Sequence, residues 1–222
     1  SLHWFGNLFE QQAVGDFGGS FRRSFGLGLM VMIVTVLVSL LAGLAFRRKF
    51  IGATPLFYLS VASLVVPSII ISLGIGVLFQ QLGLEPSWYT SAFGAHLTWT
   101  LPFGVLIMFA VFNRFSPSYE EAARDLGASS RQTFAHVVLP MIAPSLIGVG
   151  LFGFTLSYDE FARTLMTAGT YNTLPLEIYG MTTNVTTPVL YALGAVTTLF
   201  SFLVIAATLA LIVMLNRRHS RG

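Results

Sequence analysis

The run FGLGLMVMIVTVLVSLLAGLAF, Phe25–Phe46, contains no charged residue. As an α-helix it is long enough to cross the roughly 30 Å hydrocarbon core of a bilayer. Its apolar residues are contiguous, whereas a transmembrane barrel strand would alternate apolar and polar residues. Because a segment in lipid must satisfy its own backbone hydrogen bonds, the run predicts a transmembrane helix.

Four further runs have the same character, at residues 56–79, 92–112, 140–158 and 189–215. The chain is 55% hydrophobic and only 9% charged, whereas soluble domains are about a quarter charged. We therefore predict an all-α membrane protein, a single transmembrane domain over residues 1–222. It would have five visible transmembrane helices, with residues 1–24 as an outer segment. The prolines within the runs either serve ordinary helix packing or bend helices around a pathway.

The basic residues predict an orientation. If the spans alternate across the membrane, most of the twelve Lys and Arg residues fall on one side. The positive-inside rule places that side, with the C-terminus and the loop after the third run, in the cytoplasm. The residues on that side are Arg47, Arg48, Lys49, Arg114, Arg124, Arg131, Arg217, Arg218 and Arg221, against Arg22, Arg23 and Arg163 on the other.

The loop at residues 117–138 begins with a pattern typical of a short helix. Ser118 and Glu121 are spaced as in a capping box, in which the two residues satisfy free backbone donors reciprocally. Glu120 and Arg124 are spaced as an ion pair on one helix face. Gly127 suits the left-handed position that ends a helix. A short helix over residues 118–126 is predicted.

The second half of this loop repeats the pattern. Ser129 and Gln132 form another candidate capping box, and Pro140 suits the first turn of the next span. The residues therefore predict two short helices joined at a glycine on the cytoplasmic surface. Taken alone, they also fit a solvated connector between two spans.

A longer motif runs through the same loop. Glu121-Ala122-Ala123 is followed after three residues by Gly127, after nine more by Val137, and then by Leu139-Pro140. This order resembles the EAA loop of bacterial ABC importer permeases, which usually has Ile at the place of Val137. The stretches FTLSYDEF (154–161) and TLPLEIYGM (173–181) are similar to the PotC-type branch of that family, which imports polyamines and opine-like solutes. The resemblance covers essentially the whole chain.

The resemblance implies a permease subunit of an ATP-driven importer in a bacterial inner membrane. Its coupling helix would contact a cytoplasmic ATPase through Glu121, Ala122, Ala123, Leu126 and Gly127. The implied partners are a second permease subunit, two ATPase subunits, an extracytoplasmic substrate-binding protein and membrane lipid, with no nucleic acid. ATP and Mg²⁺ would be bound by the ATPase, and no cofactor by this chain. The family has six spans, so one more is expected before Ser1.

The residues themselves agree with a separate ATPase. A P-loop needs a glycine-rich run that ends in Lys followed by Ser or Thr. The chain has one lysine, Lys49, and Phe50 follows it. The chain is therefore not expected to be an enzyme.

Candidate pathway residues lie at the end of the run 140–158. Carboxylates near a membrane are costly to bury and so often serve function. Asp159 and Glu160, with Ser157 and Tyr158, are the tentative pathway residues; as an alternative, the two acids face water or pair with Arg163. The resemblance implies a small cationic or amine-bearing solute, such as a polyamine, an opine or an amino-acid derivative. Ser68 replaces an acid that polyamine permeases often have, a difference that bears on the solute.

Two other classes of membrane protein are alternatives to an importer permease. An ion-coupled secondary transporter or channel subunit is the alternative function, and it would be expected to have charged residues inside its spans. Such residues are nearly absent from the five runs. A membrane enzyme would need a nucleophile with its base, or a set of metal ligands, and the sequence offers neither pattern.

Overall fold

The computed structural model describes residues 3–6, 16–48, 50–184 and 188–219, and these residues fold mainly into α-helices. A π-helical turn, Phe134–Val138, joins α7 to α8. Lys49 and residues 220–222, which contribute to the predicted basic clusters, lie outside the described residues. The helices are α1 His3–Gly6, α2 Phe17–Phe46, α3 Ala53–Ala62, α4 Ser68–Gln81, α5 Ser91–Arg114, α6 Ser118–Asp125, α7 Ser130–Thr133, α8 Leu139–Tyr158, α9 Leu174–Asn184 and α10 Val189–His219.

Four helical segments are long and apolar enough to cross a membrane: α2, α5, the continuous helix at residues 130–158, and α10. The prediction of an all-α membrane protein is thus confirmed. The first of these helices starts earlier than predicted, within the outer segment 1–24. Asp16 accounts for this start, because its Oδ1 accepts a hydrogen bond of 2.8 Å from the Gly19 amide and caps the first turn. That hydrogen bond also lowers the pKa of the Asp16 carboxyl.

The second predicted span is not one helix. The run 56–79 is divided between α3, of 10 residues, and α4, of 14 residues. Pro67 explains the break, since its ring removes a backbone donor and drives the preceding residue out of the helical region. At 1.5 Å per residue, neither helix alone crosses a bilayer. The hydropathy of the whole run predicts a single span, and the two short helices correct that prediction.

Helix α2 lies at the centre of the bundle, packed against both α5 and α8. Its approach to α5 depends on glycine. A Cβ atom at Gly43 would come within 2.8 Å of the Phe112 ring, and one at Gly104 would overlap the Ser39 side chain. These two glycines let the helices approach more closely than larger residues would allow.

The buried apolar side chains form separate clusters toward the two ends of the bundle. The cluster at the end of the predicted cytoplasmic loop consists of Met108, Phe112, Val138, Ile142 and Val149. The cluster at the opposite end joins α2, α8, α9 and α10. It consists of Phe17, Phe154, Tyr158, Leu174, Val189, Ala192 and Leu193.

The π-helical turn changes the predicted start of the fourth span. Residues 130–158 are continuously helical, so the second short helix of the loop is not a separate element. Pro140 consequently lies within this helix rather than in its first turn, and it has no N–H to donate to the preceding turn. In the wide turn just before it, the Leu139 amide hydrogen-bonds to the Phe134 carbonyl, five residues back. We infer that this turn accommodates the proline without ending the helix.

Candidate coupling surface and translocation pathway

The helix α6 ends as the sequence predicts. Gly127 has φ of +85°, the left-handed conformation that glycine adopts without strain. Its amide hydrogen-bonds to the Arg124 carbonyl at 2.8 Å, and the Ala128 amide to the Ala123 carbonyl at 3.0 Å. This pair of bonds is a Schellman motif, which satisfies the free carbonyls at the end of a helix.

The start of α6 differs from the prediction, because Ser118 and Glu121 do not form a capping box. Pro117 occupies the N-cap position with φ of −58° and ψ of −25°, which are already helical values. The helix therefore starts around the proline, and Ser118 falls inside its first turn. The second box is present: the Ser129 amide donates to Gln132 Oε1 at 2.8 Å, and Ser129 Oγ accepts from the Gln132 amide.

The predicted coupling residues share an open surface. None of the residues of α6 is buried, and Leu126 just beyond it has 90% of its surface exposed. Glu121 and Ala122 are also exposed, and a Cβ atom at Gly127 would meet nothing within 4 Å. We call Glu121, Ala122, Ala123, Leu126 and Gly127 the coupling surface. Small side chains around one exposed leucine leave room for a partner to approach closely.

At the other end of α8, Asp159 borders two cavities. One, of about 380 Å³, lies between Asp159 and α9, and Phe161 and Tyr179 contribute aromatic rings to it. The other, of about 300 Å³, lies toward α10 and includes Phe200. Tyr158 lines both cavities. A carboxylate among aromatic rings can attract a cation through both its charge and the ring faces.

The setting of Asp159 shifts the pKa of its carboxyl. Although the side chain is exposed by surface area, the walls around it remove part of its hydration. This partial burial raises the pKa of the Asp159 carboxyl above its ordinary value. The hydroxyl of the neighbouring Tyr158 is buried and has no hydrogen-bond partner among the described residues.

Glu160 lines neither of these cavities and pairs with Arg163. The two side chains are 7% and 3% exposed, and Glu160 Oε2 lies 3.6 Å from Arg163 Nη1. Glu160 Oε1 also accepts a 2.8 Å hydrogen bond from the Arg163 amide. The two neighbouring carboxylates thus have different surroundings, one at a cavity and one in a buried ion pair.

Arg163 also connects the loop after α8 to α4 and α5. Its guanidinium donates to Ser68 Oγ at 2.7 Å and to Thr98 Oγ1 at 3.2 Å. It lies 4.4 Å from the centre of the Trp99 ring. These contacts compensate a buried positive charge from three directions.

Ser157 faces the interior of the bundle rather than either cavity. Its hydroxyl lies 2.8 Å from His96 Nδ1, and the other ring nitrogen of His96 lies 3.0 Å from Thr164 Oγ1. One turn further along α5, Thr100 bonds to Thr35 of α2 at 3.0 Å. Of the four tentative pathway residues, the structure therefore brings Tyr158 and Asp159 to the cavities and places Ser157 and Glu160 in buried contacts.

This buried polar row was missed by the sequence analysis. Its signal is the recurrence of His96, Thr100 and Gly104 every fourth residue in an otherwise apolar helix. That spacing places the three residues on one face. In a membrane helix, small and polar residues on one face mark contact with other helices rather than with lipid.

The ion pair gives a prediction about stability. Changing Arg163 to Met leaves the charge of the buried Glu160 carboxylate uncompensated. We therefore expect the free energy of unfolding to fall by about 3 kcal/mol. Thermal unfolding in detergent measures the change. The double variant Arg163→Met, Glu160→Gln should recover part of the lost stability. As a control, Arg114→Met changes an exposed arginine and should lower the stability little. Equal losses in the single and double variants would contradict the account.

The bundle, the capped helix at one end and the acidic cavities at the other have the organisation of a membrane subunit of a transport system. The chain belongs to the family of binding-protein-dependent transport system inner membrane components, whose model matches residues 24–221. This membership agrees with the resemblance noted from the EAA motif. The chain is accordingly a multi-pass membrane protein.

Two curated relatives come from Escherichia coli strain K12. The spermidine/putrescine transport system permease protein PotC is 29% identical over 175 residues, which are 78% of this chain and 66% of PotC. The putrescine transport system permease protein PotI is 27% identical over 187 residues, which are 81% of this chain and 66% of PotI. The matches thus span just under two thirds of the length of these relatives.

Solved structures share the fold at lower identity. A chain of the inward-facing MetNI methionine ABC transporter superposes with a TM-score of 0.70 and 16% identity, covering 87% of this chain and 93% of the other. A chain from a crystal structure of an amino acid ABC transporter with histidines has a TM-score of 0.65 and 16% identity, covering 96% of this chain and 98% of the other.

Proposed function

We propose that this chain is the permease subunit of an ATP-driven importer, which lines the translocation pathway and couples it to a separate ATPase. The observation that carries the proposal is the exposed helix α6 with its coupling surface. Its exposed leucine and two alanines on a helix closed by a Schellman motif suit a cleft on another protein. The family membership supports the same assignment, and on this proposal the chain itself catalyses no reaction.

The proposal includes the assembly. The partners are two ATPase subunits at the coupling surfaces, a second permease subunit beside this chain and an extracytoplasmic substrate-binding protein. ATP and Mg²⁺ bind to the ATPase. The complex lies in a bacterial inner membrane, with α6 and the C-terminus in the cytoplasm. The excess of basic residues on that side supports this orientation.

The proposed solute is a small amine-bearing cation. Asp159 provides a negative charge at the outer end of α8, and the rings of Tyr158, Phe161 and Tyr179 line the same cavity. The hydroxyl of Tyr158 is buried behind the cavity walls and has no hydrogen-bond partner among the described residues, so it keeps its capacity to bond to an ammonium or amide group that displaces those walls. The names of PotC and PotI, which refer to spermidine and putrescine, support a polyamine or a related amine.

Reconstitution of the complex, purified from its native membrane, into proteoliposomes tests this function. With the binding protein outside and ATP inside, we expect uptake of radiolabelled putrescine, spermidine or an amine-bearing amino-acid derivative, and no uptake of a dicarboxylate. Ionophores that collapse ion gradients should leave the rate unchanged. Uptake that needs an ion gradient and proceeds without ATP would establish the ion-coupled alternative instead.

A further inference from the structure

Glu120, next to the coupling surface, is directed into the protein rather than toward solvent. Its side chain is 16% exposed, although it lies on a helix without buried residues. Oε1 is 2.6 Å from Nη2 of Arg47, and Oε2 is 3.6 Å from Nη2 of Arg124 on the same helix. The short contact to Arg47 is an ion pair whose angles lie outside hydrogen-bond geometry. It joins residues that are 73 positions apart in the chain.

Arg47 is held in place from a second side. It is the C-cap residue of α2, and its guanidinium carbon lies 5.2 Å from the centre of the Phe112 ring and 5.4 Å from that of Phe115. Phe112 is buried at the end of α5. The two aromatic faces favour a cation at this position. Arg47 therefore joins the ends of α2 and α5 to Glu120 of α6.

The rest of α6 is loosely attached to the bundle. The elements that α6 chiefly contacts are α7 and the π-helical turn, which follow it in the chain. A cavity of about 690 Å³ separates part of α6 from the end of α2, with Leu44 and Phe134 among its apolar residues and Glu120 on its wall. Across this gap, the Arg47–Glu120 pair is the ionic contact that the described residues provide between α6 and α2.

Helix α2 connects this pair to the outer cavities. At the inner end, Gly43 packs closely against the Phe112 ring of α5. At the outer end, Ser24 Oγ accepts a 2.8 Å hydrogen bond from the Leu174 amide at the start of α9. Phe25 packs edge-on against Phe154, with ring centres 5.6 Å apart, one turn before Tyr158. A displacement at Arg47 would thus be carried by a continuous helix to the walls of the Asp159 cavity.

We propose that Arg47 is a positioning residue for energy coupling, and that movement of α6 reaches α2 through the Arg47–Glu120 ion pair. This inference rests on the proposed function. In it, the coupling surface receives the motion of the ATPase, and Glu120 passes that motion to the helix that borders the pathway. Because both side chains are partly buried, salt screens the pair less than it screens a pair in open water.

Charge reversal in the full complex in proteoliposomes tests the proposal. The variants are Arg47→Glu, Glu120→Arg and the double swap, with Arg48→Glu as control. Arg48 lies beside Arg47, is exposed, and forms no ion pair among the described residues. The readout is the number of solute molecules taken up per ATP hydrolysed, which a purely structural role would not lower in the complexes that assemble.

In each single reversal we expect the uptake per ATP to fall about tenfold, which corresponds to a coupling energy near the middle of the range seen for residues between two sites. The double swap should return the ratio to within about twofold of the unchanged protein. Arg48→Glu should keep it.

Single reversals that keep the normal ratio, or a double swap no better than either single reversal, would overturn the role of Arg47. If the single reversals fail to assemble, the milder variants Arg47→Gln and Glu120→Gln should also lower the uptake per ATP. A normal uptake per ATP in these two variants would equally overturn the role of Arg47. Failure of the proposed function looks different, since the unchanged complex would then show no ATP-driven uptake at all.

Discussion

Solute uptake is expected to fall about a hundredfold when Ala123 is changed to Trp, because the indole would occupy the space that the ATPase needs on the coupling surface. A steric conflict of about 3 kcal/mol would weaken the binding of the ATPase to this chain by roughly a hundredfold. Ala123 is only partly exposed and carries the carbonyl that closes the Schellman motif. The measurement is uptake by the reconstituted complex, together with the amount of ATPase that copurifies with this chain.

Three further substitutions accompany this prediction. Ala123→Ser changes the volume little and should retain uptake. Gly127→Ala meets no neighbouring atom but requires a positive φ, so any loss would come from backbone strain of about 1–3 kcal/mol. Gly94→Ala, also with free space around it, should be silent. Normal uptake and normal ATPase copurification in Ala123→Trp would exclude this surface as the coupling site.

The second large effect is expected at Asp159. Changing Asp159 to Asn keeps the shape of the side chain and removes its charge, so the uptake of a cationic solute should fall about tenfold at neutral pH, if the lost attraction is about 1.4 kcal/mol. The amount of assembled complex should not change. Glu85→Gln, which removes an exposed carboxylate from the loop between α4 and α5, should keep normal uptake.

The pH dependence gives a sharper test of the same residue. Burial raises the pKa of Asp159 above the ordinary value. The charge is therefore present above this raised pKa and is lost as the pH falls through it. Uptake by the unchanged protein should decline on acidification at a pH above the ordinary titration of aspartate, and the Asn variant should lack that decline. The same decline in both proteins, or a transported anion, would remove Asp159 from the pathway.

Much of the fold can be predicted from the sequence, because lipid imposes simple demands on the chain. Long apolar runs such as Phe25–Phe46 must be helical, whatever surrounds them. The end of α6 was equally predictable, since Gly127 meets a local requirement of the helix backbone. The second capping box, from Ser129 to Gln132, is local in the same way. Such features depend on a few neighbouring residues.

Other features of the fold depend on which of two local structures is more stable, or on residues that are distant in the sequence. The break at Pro67 and the π-helical turn before Pro140 both follow from proline. Pro67, however, lies between two helices, at the N-cap of α4, whereas Pro140 lies within a continuous helix. Surrounding contacts decide between these outcomes: α4 bonds through Ser72 to the Arg163 carbonyl, whereas α8 packs along α2. The different roles of Asp159 and Glu160, by contrast, could not be predicted from the sequence. Either acid could line the pathway, and the choice depends on which of them pairs with Arg163.

Contacts between distant segments carried no local signal. The pair of Arg47 with Glu120 and the row through His96 each join helices that lie far apart in sequence. The spacing of polar residues in α5 indicates an interior face but not the partner of that face. These contacts needed the three-dimensional arrangement.

Site-specific cross-linking from Leu126 tests the central claim most directly, because this side chain is 90% exposed on the coupling surface. The chain has no cysteine, so Leu126→Cys provides a single reactive site, and Tyr171→Cys, in the loop between α8 and α9, provides its counterpart at the other end. In native membranes that contain the whole complex, a short bifunctional reagent should join Leu126→Cys to an ATPase subunit, and Tyr171→Cys should form no such product. An ATPase cross-link at Tyr171→Cys but not at Leu126→Cys, or labelling of Leu126→Cys by a membrane-impermeant reagent in intact cells, would contradict the account.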